Sequence, residues 1–195
     1  MAIKRRIRNL VIRDARSEDY DEILKVTLSA FQEHAALMPL HWESYRQGII
    51  ARLSDVKPAE QIVAEKDNTI VGTVLLFPVG TVFTMPDRAP ITLVYPEVRL
   101  LAVAPAAQGR GVAAALMGEC IRRTIISGAT ALMLHTIDVM HVARRMYEQI
   151  GFLRAPELDF HSTKDLIIKG YRLNLDKKEA RKVGKAVFSR KSRKT

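Results

Sequence analysis

The 195-residue sequence has a single cysteine, a single tryptophan, and no run of eighteen apolar residues. One cysteine, Cys120, cannot close an intramolecular disulfide and cannot nucleate a cysteine-rich metal site. Histidines, cysteines and carboxylates also lack metal-ligand spacing, so no metal is expected. Without a long apolar run no membrane-spanning helix is predicted. The opening residues, MAIKRRIRNLVIRDA, are basic but lack the apolar stretch and small-residue cleavage site of a secretory signal. A reducing, cytoplasmic setting is the expectation. Internal repeats, low-complexity stretches and Gly/Ser/Pro linkers are absent, which predicts one domain over residues 1–175 followed by a basic tail at 176–195.

Charge of one sign is scarce only at the ends. The net charge is +10, but residues 1–13 contribute +5 and residues 176–195 contribute +7, leaving −2 for the body. A solvated tail is one reading of the C-terminal run; contact with nucleic acid or an anionic surface is the other. One aromatic residue in the tail, Phe188, is too little for base stacking. A hydrophobic content of 48% with 27% charged residues is that of a globular chain.

Along the body, strands and helices alternate. Residues 9–15 predict a strand and 17–30 a helix with Ile23, Leu24, Val26 and Leu28 on its apolar face. A second helix is predicted over 42–53. Residues 61–67 and 69–79 flank Asp67-Asn68 as a hairpin. The proline-interrupted stretch 80–94 predicts an open connection or a distorted hairpin tip. Strand 95–105, helix 111–128, strand 129–137, helix 139–150 and strand 166–175 follow. Strand, helix and strand over 95–137 form a crossover, which makes those two strands parallel. The expectation is an α/β fold of the α+β type: a mixed, mostly antiparallel sheet flanked by helices, with one parallel pair.

The stretch VRLLAVAPAAQGRGVAAAL (98–116) is the most informative. A buried strand stops at Pro105, a loop with Gly109 and Gly111 follows, and a helix of small residues begins at once. Helix-opening N–H groups lack intrahelical partners and carry partial positive charge, so such a turn suits a phosphate. Arg110 adds a cation. Ala114 replaces the third glycine of a dinucleotide fingerprint, and the GK[ST] of a P-loop is missing, which disfavours nicotinamide and ATP.

These residues resemble the acetyl-coenzyme A signature of the GNAT superfamily of N-acetyltransferases: Leu101-Ala102-Val103, then Pro105, then Gln108-Gly109-Arg110-Gly111-Val112-Ala113. VARRMYEQIGF (142–152) is similar to the family's second signature, and the similarity extends over about 9–175. The resemblance implies an acetyl-CoA cleft at the parallel strand pair. It implies pyrophosphate against backbone N–H groups of about Gln108 to Ala113, and pantetheine against the backbone of Leu101 and Val103. Ala143 and Met140 belong to the cofactor-facing helix; Met140 stands where the family often has asparagine and cannot make that residue's amide contacts.

The same resemblance implies direct acetyl transfer to a primary amine in a ternary complex. Tyr147 is the expected acid beside the CoA sulfur, against an alternative of packing with Met146 and Phe152. Glu97 is the expected base, direct or through water, against a role in orienting substrate or pairing with Arg99. Even spacing puts Glu97, Leu101 and Val103 on one sheet face, and apolar neighbours are expected to raise the Glu97 pKa. His135 lies near the cleft without a ligand-spaced partner, and Cys120 reads as core. Acceptor walls are expected from 31–45, 80–94 and 156–165. The acceptor, small molecule or protein, is left open, as is a homodimer. Two other readings stand beside this one: an acyl-CoA-binding regulatory module without turnover, and a nucleic-acid- or ribosome-associated protein using its basic ends.

Overall fold

A computed structural model of the chain describes residues 9–37, 39–84, 89–163 and 166–175. The basic tail at 176–195 lies outside the described residues. Strands β1 (Leu10–Asp14), β2 (Glu60–Lys66), β3 (Thr69–Phe77), β6 (Glu97–Val103), β7 (Ala131–Thr136), β10 (Leu166–Asn174) and β8 (Leu153–Arg154) lie side by side in that order. β9 (Phe160–Thr163) pairs with β10, while β4 (Val82–Phe83) and β5 (Ile91–Thr92) make a separate small hairpin. Every described pairing in the main sheet is antiparallel except β6 with β7. The expected mixed sheet with one parallel pair is therefore present, and the hairpin turn at Asp67-Asn68 adopts the positive φ values (50° and 61°) that its residues favour.

Helices α1 (Tyr20–Phe31) and α2 (Trp42–Ser54) cover one face; α3 (Val112–Ile126) and α4 (His141–Ile150) cover the other. In α1 the buried residues Ile23, Val26, Thr27, Ala30 and Phe31 recur at helical spacing, so one stripe packs on the sheet. Helix α1 is anchored at its start by Asp19, which accepts the Arg16 N–H at 2.7 Å and pairs with Arg13 at 2.6 Å. The Arg13 guanidinium holds the Asp19 carboxyl below the usual carboxylate range despite its burial. The small β4–β5 hairpin lies within 80–94, where a distorted hairpin tip was one of the two expectations; the short 3-10 turns at Gln32–Leu37 and Pro156–Leu158 and the short strand β8 carry no periodic signal in the sequence.

Two close approaches position the site. Gly72 on β3 faces the first turn of α3, where an added Cβ would come within 2.8 Å of Val112 Cγ1 and 3.1 Å of Leu116 Cδ1. Gly170 on β10 does the same for the segment after Ala155, since a Cβ there would run into that of Leu158. Each glycine lets a covering element sit against the sheet.

Candidate active site

The cleft begins where β6 and β7 part. Their register holds only for Glu97 with Met133 and Val98 with Leu134; beyond this the two strands are not paired. Residues Arg99–Val103 are consequently bonded to β3 alone on the sheet. A bulge accompanies the parting. Between Thr73 and Leu75 on β3, the opposing strand advances from Ala102 to Arg99, one residue more, and Leu100 takes φ 49°.

The bulge corrects the expected face assignment. Glu97 and Arg99 lie opposite Phe77 and Leu75, on the α1/α2 side with Ala102, whereas Val103 lies opposite Gly72, on the α3/α4 side where Leu101 also packs. Strict alternation from Glu97 to Val103 fails because the extra residue reverses the pleat. Glu97 and the two strand residues expected at the cofactor therefore approach the cleft from opposite faces.

On the α3/α4 side, β6 runs into a 3-10 turn at Pro105–Ala107 and then the glycine loop. Gly109 and Gly111 have φ of 70° and 87°, and a Cβ at either would meet nothing within 4 Å. The first backbone bond of α3 runs from the Ala115 N–H to the Gly111 carbonyl. Among the described residues, the N–H groups of Gly109 to Ala114 have no backbone acceptor. Gln108, Arg110 and the two glycines are exposed, Val112 is buried and Ala113 is half-buried. The Gln108 side-chain amide donates to the Val103 carbonyl at 3.4 Å, across the end of β6. An open loop presenting successive free donors at a helix start fits the diphosphate and amide groups of coenzyme A.

Helix α4 places Ala143, Met146, Tyr147 and Ile150 against the α3/α4-side core. The Tyr147 ring lies 6.0 Å from that of Phe152, and burial raises its phenol pKa, with Tyr45 and Cys120 adding smaller contributions. Met140 caps the start of α4 without a side-chain hydrogen bond and packs toward the α1/α2-side core, away from Tyr147. Cys120 is fully buried in the core, and burial pushes its thiol up to about 12.

On the α1/α2 side Glu97 is 1% exposed. Its Oε1 is 2.7 Å from His135 Nδ1 and 2.9 Å from Arg99 Nε, while Oε2 is buried without a hydrogen-bond partner. Burial alone would raise its pKa, but the His135 hydrogen bond and the Arg99 charge outweigh it, so the carboxyl sits below its ordinary value. The expected upward shift is thus reversed. His135 Nε2 lies 2.9 Å from the Leu158 carbonyl, so both ring nitrogens face oxygen acceptors. His135 thus bridges the Glu97 carboxylate and the Leu158 carbonyl.

A cavity of about 510 Å³ opens beside this pair. Arg52, Phe83, Thr84, residues 91–94, Arg99, Met133, His135 and 157–160 line it. Two expected acceptor walls, 80–94 and 156–165, contribute; the third does not. Phe31, Trp42 and Tyr45 instead pack together under the sheet, Phe31 edge-to-face with Tyr45 at 5.8 Å, and Met38 lies outside the described residues. Arg52 and the Glu97–His135 contact were not singled out beforehand. Thirty-eight residues separate the pair in sequence, and only the parallel register of Glu97 with Met133 brings His135 alongside.

Among the described residues no helix is long and apolar enough to cross a membrane, and no group of three His, Cys, Asp or Glu side chains is placed to hold a metal. No match is found among curated protein sequences. Similar folds occur in an acetyltransferase of the GNAT family from Desulfovibrio desulfuricans (18% identity, 86% of this chain and 99% of that one, TM-score 0.61). A GNAT family acetyltransferase from Brucella melitensis in complex with acetyl-CoA is similar at 22% identity, covering 86% and 88%, with TM-score 0.57. The PaiA N-acetyltransferase of Thermoplasma acidophilum in complex with coenzyme A is similar at 14% identity, covering 84% and 99%, with TM-score 0.57. The family model described as Acetyltransferase (GNAT) family matches residues 12–152, spanning the parted strands, the glycine loop and Tyr147, and the chain belongs to that family.

Proposed function

We propose that the chain transfers the acetyl group of acetyl-CoA to a primary amine by direct attack in a ternary complex. The observation that carries this reading is the row of unpartnered N–H groups from Gly109 to Ala114, reached from a strand that has parted from its parallel neighbour. Gln108, Gly109, Arg110, Gly111, Val112 and Ala113 would hold the diphosphate. The backbone of Leu101, Ala102 and Val103, unpaired with β7 and met there by the Gln108 amide at the Val103 carbonyl, would take the pantetheine arm. Ala143, on the α3/α4 side, would flank that groove with less to offer, being apolar, while Met140 packs toward the α1/α2-side core and would reach it least. The bound thioester supplies the acetyl group and leaves as a thiol.

The rest is done by the chain. Glu97 Oε2 is an ionised acceptor atom without a partner, suited to take the proton that the amine sheds, directly or through one water. His135 and Arg99 hold that carboxylate in place and keep it charged. Because its basicity is lowered, Glu97 favours drawing in and orienting a cationic amine over holding its proton, which it would pass on to water. Tyr147 keeps its own proton, since burial disfavours the phenolate, and so is fitted to donate a hydrogen bond or proton to the departing sulfur.

The test is thiol release from acetyl-CoA with a panel of primary amines. Tyr147→Phe should lower turnover by about 10²-fold or more while acetyl-CoA affinity stays within a few-fold. Equal turnover would reduce Tyr147 to core packing. Absence of thiol release with every amine, alongside intact acetyl-CoA binding, would instead favour a binding module without turnover.

A further inference from the structure

The cavity on the α1/α2 side carries an unbalanced charge. Its two lining carboxylates are engaged away from it: Asp159 pairs with Arg154 and accepts the Gly170 N–H at 2.9 Å, and Glu157 pairs with Arg172 at 2.8 Å. Its two guanidiniums are not matched. Arg99 shares Glu97 with His135, and Arg52 has no carboxylate within 4.0 Å among the described residues. Both stack on the Phe83 ring, Arg99 at 3.8 Å and Arg52 at 5.2 Å from its centre, with Phe77 behind them at 5.8 and 5.5 Å. Burial, and then the Arg99 charge, lower the pKa of Arg52. Two guanidiniums fixed on one aromatic surface, repelling each other at the wall of a cavity, are a receptor for an anion.

We infer that the acetyl acceptor is a small zwitterionic amine whose anionic group bridges Arg52 and Arg99 while its nitrogen meets Glu97. This rests on the transferase reading above. The spacing limits the acceptor's length. Arg99 Nε lies 2.9 Å from Glu97 Oε1, so the anion and amine subsites adjoin, separated by little more than one guanidinium. That span fits an α-, β- or γ-amino acid and is too short for a polyamine. The flat guanidinium forks favour a carboxylate, and a phosphonate is the other source of the same charge.

The test measures binding to the full-length chain saturated with coenzyme A, using reaction products so that turnover is not required. N-acetylglycine, N-acetyl-β-alanine and N-acetyl-γ-aminobutyrate are compared by calorimetry with their amides and with the matching phosphonates. At least one acid should bind about tenfold or more tightly than its amide, and Arg52→Gln should remove that preference while Arg52→Lys restores part of it. A phosphonate that outbinds its acid would keep the anion site and reassign the group. Equal binding of acids and amides, or no binding by any of the series, overturns the inference. Thermal stabilisation by acetyl-CoA is read in parallel: its presence with no acid preference sinks only the anion site, and its absence sinks the transferase reading itself.

Discussion

Gly72→Ala should damage cofactor binding from a position with no polar group to offer. The new Cβ would sit 2.8 Å from Val112 Cγ1 and 3.1 Å from both Leu116 Cδ1 and the Ala102 carbonyl. Ordinary carbon contacts need about 3.5–4.0 Å, so the first turn of α3 must retreat by roughly 1 Å. The β3 backbone cannot yield instead, because it is bonded to β2 on one side and β6 on the other. Overpacking of this size costs about 1–3 kcal/mol, which lowers the unfolding midpoint by roughly 2–12 °C for a domain of this length. Val112 and Ala113 are also the residues whose N–H groups open toward the glycine loop, so the same retreat misplaces the donors. A displacement of about 1 Å is enough to cost up to 10²-fold, and acetyl-CoA affinity should fall at least tenfold. Thermal unfolding and calorimetry with acetyl-CoA read the two effects separately. A folded Gly72→Ala protein with undiminished affinity would refute the idea that this contact sets the cradle.

Other outcomes follow from the same contacts. Gly118 in α3 and Gly48 in α2 are exposed, with nothing within 4 Å of an added Cβ; Gly118→Ala and Gly48→Ala should each stabilise the fold by about 0.5–1 kcal/mol in denaturant titrations. The Asp19 carboxyl has a folded pKa below its unfolded one, so its contribution is full above about pH 4 and is lost as pH falls through the folded value. Asp19→Asn should therefore lower the midpoint at pH 7 by an amount that shrinks toward pH 2, and a constant difference would show that the Arg13 pairing is not ionic. Glu97→Gln should cut turnover by about 10²-fold or more and also destabilise the fold, because Arg99 and His135 lose their shared carboxylate; turnover at the wild-type level would remove Glu97 from the reaction.

The order of strands and helices was readable because their signals are local: Asp67-Asn68 for the hairpin, Gly128 and Gly151 for the helix ends, both at positive φ. The parallel pair followed from the crossover between residues 95 and 137. What could not be read was the bulge. Leu100 adopts a left-handed conformation that leucine does not advertise, and that one residue moved Glu97 to the face opposite Leu101 and Val103. The environment of Glu97 was misjudged for a related reason. An ion pair with Arg99 and a bond to His135 offset its burial, and the second partner comes from a strand 38 residues away. The cavity was hidden similarly, since Arg52, Arg99 and Phe83 meet only after α2, β4 and β6 have packed.

The central claim is that the loop at Gly109–Gly111 receives acetyl-CoA, and thermal unfolding of the wild-type chain and of Gly111→Glu with acetyl-CoA tests it most directly. The Gly111 site has open space for a side chain, so the variant should fold, with a strain cost of about 1–2 kcal/mol from its left-handed φ. At a hundred times its dissociation constant, acetyl-CoA should stabilise the wild-type by about 2.7 kcal/mol, a midpoint rise of roughly 5–10 °C. The variant, with bulk and negative charge at the phosphate position, should show no rise. An unshifted wild-type midpoint, or a folded variant stabilised as well as the wild-type, would contradict the account.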